Sequence, residues 1–344
     1  MEHVALNEQT LSHILENVKN VSIGVLGDVC LDIYWIADMT RSKLSRETPH
    51  FPLPIVQERI TPGAAGNVVM NMKDLGANTV YVLSAVGHDW RGRLLLDILE
   101  AKGIDTSYIV QSDDMITPSY CKPVRKGISP ISYEDPRLDF ENAVSLSTRT
   151  ADELCRYLDD IAGKVQALVV TDQFLHGVVT EKIRKKLSDF SKKGLKVIVD
   201  SREKLASYEH VIIKPNEVEA AALIGVPISQ GAVMPERYAP IAKALYKKSG
   251  KPVIITLGDK GALYFDGMSL YYACAANAGK PIDTVGAGDT FVSAFCCAMA
   301  ACGDGGQALA FANLAACVTV SKCGTTGTAS PDEIWHIYKG LMRK

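Results

Sequence analysis

At 344 residues, with 22% charged side chains and a net charge of −2, the chain is long enough to bury a sizeable core and lacks the basic excess of a nucleic-acid binder. Its hydrophobic fraction of 47% is that of a soluble globular protein, and no apolar run reaches the length of a membrane span. Nine cysteines, an odd number with no C-x-x-C pair, suggest neither a disulfide framework nor a zinc site.

The N-terminal MEHVALNEQTLSHILENVKN carries acids early and no continuous apolar core, so it reads as an amphipathic helix rather than a signal peptide. The cytoplasm is the expected compartment. VSIGVLGD, NTVYVLSAVG, ALVVTD, KVIVD, HVIIKPN and PVIITLG then follow as continuous apolar runs, the pattern of strands buried on both faces of a parallel sheet. Between them WRGRLLLDILEAKG, TADELCRYLDDIAGKV, VTEKIRKKLSDFSKKG and PERYAPIAKALYKKSG are amphipathic, and three of them close on glycine as helices often do. The alternation predicts a doubly wound, mostly parallel α/β sheet flanked by helices, with its ligand at the carboxyl ends of the strands. Residues 33–61 and 106–139 break the rhythm with short strand-like pieces, prolines and charges. They read as a small β-rich lid built from two excursions of one domain spanning 1–344. Cys296, Cys297, Cys302, Cys317 and Cys323 fall in the apolar C-terminal region and read as small buried thiols.

The chemistry concentrates in IDTVGAGDTF, residues 282–291. The Gly286-Ala287-Gly288 backbone can turn tightly and aim free N–H groups outward, while Phe291, Ala294, Phe295, Ala298 and Met299 recur at helical spacing. A helix N-terminus behind three unpaired donors favours an anion. Asp289 is then either a helix-start acid or, beside a bound anion, a carboxylate that faces something protonated, for which a substrate hydroxyl fits. Donors for a transferring phosphoryl group together with a carboxylate to take the acceptor's proton are what phosphoryl transfer requires. Other phosphate-binding motifs are missing: there is no G-x-x-x-x-G-K-S/T, GAGDTF lacks the third glycine of a dinucleotide fingerprint, and GVLGD at 24–28 has no glycine spacing for pyrophosphate.

DTVGAGDTFVSA (283–294) resembles the C-terminal signature of the PfkB/ribokinase sugar kinases, and GAAGNVVMNMKDLGANTVYVLSAVG (63–87) resembles their N-terminal signature. With KPNEVEA (214–220) and TLGDKGA (256–262), four motifs follow in order along most of the chain. The resemblance implies an α/β fold with a small β lid, ATP and Mg²⁺ as cofactors, and a sugar or sugar phosphate as acceptor. It makes Asp289 the general base and the backbone of Gly286, Ala287 and Gly288 the anion hole. Asp28, Asp32, Gly63 and Asn67 fall at acceptor-binding positions, and Asn216, Thr256, Gly258, Gly261 and Asn313 at nucleotide positions. Glu219 would organise Mg²⁺ through water. Taken alone, PNEVEA reads as a helix cap, Asp32 can cap a turn, and an asparagine in an Ala-rich helix is often structural.

Within the family, GDVCLDIYW, PGAAGNVVMNMKDLGAN, RLDFEN (137–142) and ANLAACVTVSKCGTTGTASPDEI are similar to the kinase domain of bacterial heptose enzymes. Those phosphorylate D-glycero-D-manno-heptose 7-phosphate at C1. Arg137 of RLDFEN is the expected grip on the distal phosphate, because a planar guanidinium holds phosphate bidentately. The chain departs from the pattern at Ala64, where a second glycine is common, and in SKLSRETPHFP, in TDQFLHG, which lacks a lysine before its glycine, and in VDSR, where I-D-P-K is typical. Too little chain follows for the nucleotidyltransferase domain often fused in that branch. A kinase for another sugar or a nucleoside, and a catalytically inactive binding protein on the same fold, are the competing readings. Exposed lid edges lead us to expect a homodimer through the lid.

Overall fold

The computed structural model describes residues 1–227, 233–276, 279, 283–322 and 327–342. Cys323 lies outside the described residues. The strands are β1 (Glu2–His3), β2 (Ser22–Gly27), β3 (Val29–Asp38), β4 (Ile55–Ala64), β5 (Thr79–Gly87), β6 (Ile109–Ser112), β7 (Ser119–Lys126), β8 (Ser132–Glu134), β9 (Leu138–Phe140), β10 (Ala167–Asp172), β11 (Lys196–Ser201), β12 (Ile212–Ile213), β13 (Val253–Thr256), β14 (Ala262–Phe265) and β15 (Leu270–Ala273). The helices are α1 (Glu8–Val18), α2 (Ala65–Asp74), α3 (Trp90–Ala101), α4 (Thr148–Ala162), α5 (Glu181–Lys192), α6 (Glu217–Leu223), α7 (Pro235–Ser249), α8 (Ala287–Cys302), α9 (Gly305–Val320) and α10 (Pro331–Met342).

Among these residues, ten strands form one sheet in the order β1-β15-β14-β13-β12-β11-β10-β2-β5-β6. All its pairings are parallel except β13 with β14 and β14 with β15. The continuous apolar runs are explained by burial on both faces. In β10, Ala167 and Val169 pack with α1, α2, α8 and α9, while Leu168 and Val170 pack with α4, α5 and α7. Several helices begin where the sequence supplies a cap: Asn7, Asp89, Ser147 and Thr180 accept backbone N–H groups at the starts of α1, α3, α4 and α5.

The second sheet is smaller, with β4-β3-β7-β8 in order and β9 also paired to β7. It differs in extent from the expected excursions. Its first two strands begin at Val29 and end at Ala64, because β3 continues directly from the end of β2. Residues 106–112 do not join it, since β6 pairs with β5 in the large sheet. Its two faces are chemically distinct. Leu31, Ile33, Trp35, Ile60, Cys121 and Phe140 pack into the main core, whereas Asp32, Tyr34, Tyr120 and Lys122 lie on the opposite face with Thr61 and Arg59.

Candidate active site

The carboxyl ends of the central strands meet the N-termini of two helices, α2 and α8. Gly286 caps α8 at φ 78°, a conformation that glycine takes without strain, and puts Asp289 on the first helical turn. The N–H groups of Gly286, Gly288 and Asp289 have no partner among the described residues. Ala287 was expected in this set, but its N–H donates to the Thr284 carbonyl at 3.2 Å, closing the turn that precedes the helix. The free donors are therefore those of Gly286, Gly288 and Asp289, with Asp289 standing in for Ala287.

Asp289 receives a 2.7 Å hydrogen bond from the Asn67 amide at its Oδ2. Burial pushes its carboxyl up to about 7; the Asn67 bond and Lys214 oppose the rise, while Asp200 and Asp32 add to it. A carboxyl that titrates near neutrality is suited to accept a proton and return it to solvent. Asn67 is itself held, because Asn71 one turn along α2 donates to its carbonyl at 2.9 Å. The hydroxyl of Thr290 bonds Asn71 Oδ1 at 2.8 Å and faces the Thr319 hydroxyl at 2.8 Å. This buried ladder from α2 through α8 to α9 sets the base relative to its amide partner. Sequence reading missed Asn71, Thr290 and Thr319; the i, i+4 spacing of the two asparagines in NVVMN was the available signal.

Gly63 and Ala64 join β4 to α2. A Cβ on Gly63 would lie 2.7 Å from Asp32 Oδ2, so the absent side chain makes room for that carboxylate. Ala64 has φ 50° and ψ −126°, a backbone shape that favours glycine, and it turns the chain into α2 with Asn67 aimed at Asp289. Its methyl packs beside Cys30, Tyr120 and Phe174.

Asp32 is 7% exposed and ion-paired to Lys122 at 2.8 Å, and Lys122 also donates to the Tyr34 hydroxyl at 3.0 Å. Burial pulls the Lys122 ammonium down, but Asp32 and Tyr34 outweigh it and the net shift is upward. Arg137 stacks 4.0 Å over Tyr120 and donates to both oxygens of Asp139, at 2.5 and 2.6 Å. That pairing engages Nε and Nη2, while Nη1 has no partner among the described residues. Asp28, expected at an acceptor position, accepts the backbone N–H groups of Gln173, Phe174 and Val178 and presses against Gly177, so it shapes the loop after β10. Burial lifts Asp28 to about 6 against those three hydrogen bonds.

On the other side of the cleft, Asn216 caps α6 and forms a capping box with Glu219. The residue pair is built as the cap that PNEVEA suggests, and one Glu219 carboxylate oxygen accepts the Asn216 N–H at 2.8 Å. Burial raises Glu219, while Lys214 and Arg202 oppose this. Thr256 reaches Asn216 through a parallel bridge. Gly258 and Gly261 take φ values of 57° and 97°, and a Cβ on Gly261 would fall 2.0 Å from the Ala273 carbonyl. The Asn313 amide donates to that same carbonyl at 2.9 Å, which ties α9 to the loop. A buried pair that sequence reading passed over, Lys214 with Asp200 at 3.1 Å, acts on both Asp289 and Glu219 through its charges. No group of three or more His, Cys, Asp or Glu able to hold a metal converges among the described residues.

Residues 56–333 match the family described as pfkB family carbohydrate kinase. The chain belongs to that family. The Bifunctional protein HldE of Trichlorobacter lovleyi is 28% identical over 336 residues, covering 96% of this chain and 65% of that protein. That of Gluconobacter oxydans is 30% identical over 333 residues, covering 93% of this chain and again 65% of its own length. The chain thus spans slightly under two thirds of these relatives. Among solved structures, phosphofructokinase-2 from Escherichia coli in complex with substrates and products superposes with a TM-score of 0.71 at 23% identity, covering 94% of this chain and 100% of that one. Ribokinase from Arabidopsis thaliana complexed with ribose and ATP gives 0.69 at 20% identity, covering 93% and 99%. These neighbours establish the ribokinase-like fold of a large, mostly parallel sheet with a small lid sheet. The pfkB membership makes the chain a carbohydrate kinase.

Proposed function

We propose that the chain transfers the γ-phosphoryl group of ATP to a hydroxyl of a phosphorylated sugar, with D-glycero-D-manno-heptose 7-phosphate, phosphorylated at C1, as the first acceptor to test. The similarity to HldE proteins at 28–30% identity supports the heptose. The observation that carries the transfer itself is Asp289: a carboxyl titrating near neutrality, within one helical turn of three unpaired N–H donors and hydrogen-bonded to Asn67.

In this reading the acceptor hydroxyl lies against Asp289 and its proton passes to the carboxylate. The hydroxyl oxygen forms a bond to the γ-phosphorus as the bond to the β,γ-bridging oxygen breaks, and ADP leaves with that electron pair. The N–H groups of Gly286, Gly288 and Asp289 face the charge that spreads over the transferring oxygens. Asp32 accepts a sugar hydroxyl with the oxygen that Lys122 leaves free. Glu219 keeps one oxygen without a partner among the described residues, which fits a Mg²⁺ ion held mainly by phosphates and water. Such an ion would neutralise nucleotide phosphate charge. The nucleotide would sit along Asn216, Thr256, Gly258 and Gly261. No helix among the described residues is long and apolar enough to cross a membrane, and we place the enzyme in the cytoplasm as a homodimer paired through the lid. Incubation with γ-labelled ATP and a panel of heptose 7-phosphate, hexose phosphates, plain sugars and nucleosides tests the acceptor. Label appearing at C1 of the heptose is the expected result; label only on a plain sugar or nucleoside overturns the acceptor assignment and leaves the kinase assignment standing.

A further inference from the structure

The lid face that carries Asp32 holds one arginine, Arg59, with no counterion among the described residues. β3 and its two neighbours place Tyr34 between Arg59 of β4 and Lys122 of β7, in direct cross-strand register. The Arg59 guanidinium lies 4.5 Å from the Tyr34 ring centre and the Lys122 ammonium 4.6 Å from it. Two cations therefore share one ring. Lys122 has Asp32 as its counterion, but Arg59 has neither an ion pair nor a hydrogen bond among the described residues, and its Nε is buried without a partner. The neighbouring Thr61 hydroxyl, one register step toward Asp32 on the same face, is also buried and unpaired. Leaving such groups unmatched is costly, and an incoming anion with several acceptor oxygens removes that cost.

We propose that Arg59, with Lys122 and Tyr34, forms the subsite for the distal phosphate of the acceptor. The position suits the task, because β3 leads away from the large sheet and Tyr34 stands two residues beyond Asp32, about 7 Å further from the transfer site. A sugar whose reacting hydroxyl meets Asp289 and whose ring hydroxyls meet Asp32 projects its far end toward Arg59. Arg137, just before β9, stacks on Tyr120 of the same lid face with its Nε and Nη2 engaged by Asp139. The ligand class is a phosphate monoester dianion on a carbon remote from the phosphorylated hydroxyl. This inference rests on the phosphosugar reading above.

The test compares the full-length wild type with Arg59→Gln, Arg59→Lys and Arg137→Ala, using the heptose 7-phosphate and the same heptose without phosphate. Arg59→Gln should raise KM for the phosphorylated sugar at least about tenfold, the equivalent of losing one hydrogen bond to a charged group, with kcat nearly kept. KM for the unphosphorylated heptose should stay within about twofold, Arg59→Lys should recover part of the loss, and Arg137→Ala should cost less than Arg59→Gln. The same order should appear in calorimetric binding of the phosphosugar without nucleotide, a readout independent of turnover. Equal losses on both sugars, or none on the phosphosugar, overturn the Arg59 subsite while the phosphosugar reading stands. A wild type that phosphorylates only plain sugars overturns both.

Discussion

Asp289 and Asp28 are held in the folded protein at the expense of their charge. Burial lifts Asp289 to about 7 and Asp28 to about 6, both above the ordinary 3.8, so the folded chain binds protons that the unfolded chain releases. For an acid shifted upward, the stabilising contribution is complete below about pH 4 and is lost as pH rises through 6 and 7. Denaturant unfolding at pH 5 and pH 7.5 should show the ligand-free wild type losing stability over this window, and Asp289→Asn should flatten the slope. Parallel slopes would mean that the carboxyl is not perturbed. Ala64 offers a second check, since its φ of 50° stores strain that glycine would not feel. Ala64→Gly should stabilise the protein by about 1 kcal/mol, the strain relief less the added freedom of the unfolded chain, read as a raised melting temperature. An unchanged or lowered value would mean that the lost methyl packing against Cys30, Tyr120 and Phe174 matters more.

Elements differed in how plainly the sequence announced them. The runs of β2, β5, β10, β11 and β13 and the amphipathic α3, α4, α5 and α7 were legible because each repeats one period over its whole length. The β14–β15 hairpin was not, because its two short strands turn the sheet antiparallel near an edge where no alternation with helices marks them. β6 was read into the lid because the charges of the following SDD mask a four-residue strand that completes the large sheet. The motif around Asp289 was visible from its glycines and the apolar helix behind them. Its support was not visible, since Thr290 meets Asn71 across 219 positions of the chain and Lys122 meets Asp32 across 90. Asn71→Ala should therefore matter beyond its own helix. It strips partners from Thr290 and Asn67, which should cost roughly 1–3 kcal/mol of stability and lower kcat more than it changes acceptor KM. Loss of stability with kcat intact would make the ladder a packing device only.

For the whole molecule, the lid and the large sheet meet along the cleft, so binding at one should register in the other. Closure excludes water that would otherwise take the phosphoryl group. Hydrogen exchange should show β3, β4, β7 and β9 gaining protection when acceptor binds, whereas β6, part of the large sheet, should not follow them. Equal protection with and without acceptor would describe a rigid wall. β4 is an edge strand with Ile55 and Val56 exposed at 45% and 47%, and pairing of that edge with a second copy accounts for the homodimer we propose. Ile55→Lys should then shift the sedimentation coefficient toward that of a monomer. Everything at the cleft, however, depends on one proton acceptor, and the pH profile of kcat/KM for wild type and Asp289→Asn tests it most directly. The wild type should rise along an acidic limb with an apparent pKa near 7, and Asp289→Asn should lose at least about 10²-fold in kcat together with that limb while still binding ATP. A variant that folds, turns over at a near-normal rate and keeps the limb would return Asp289 to the role of a helix-start acid.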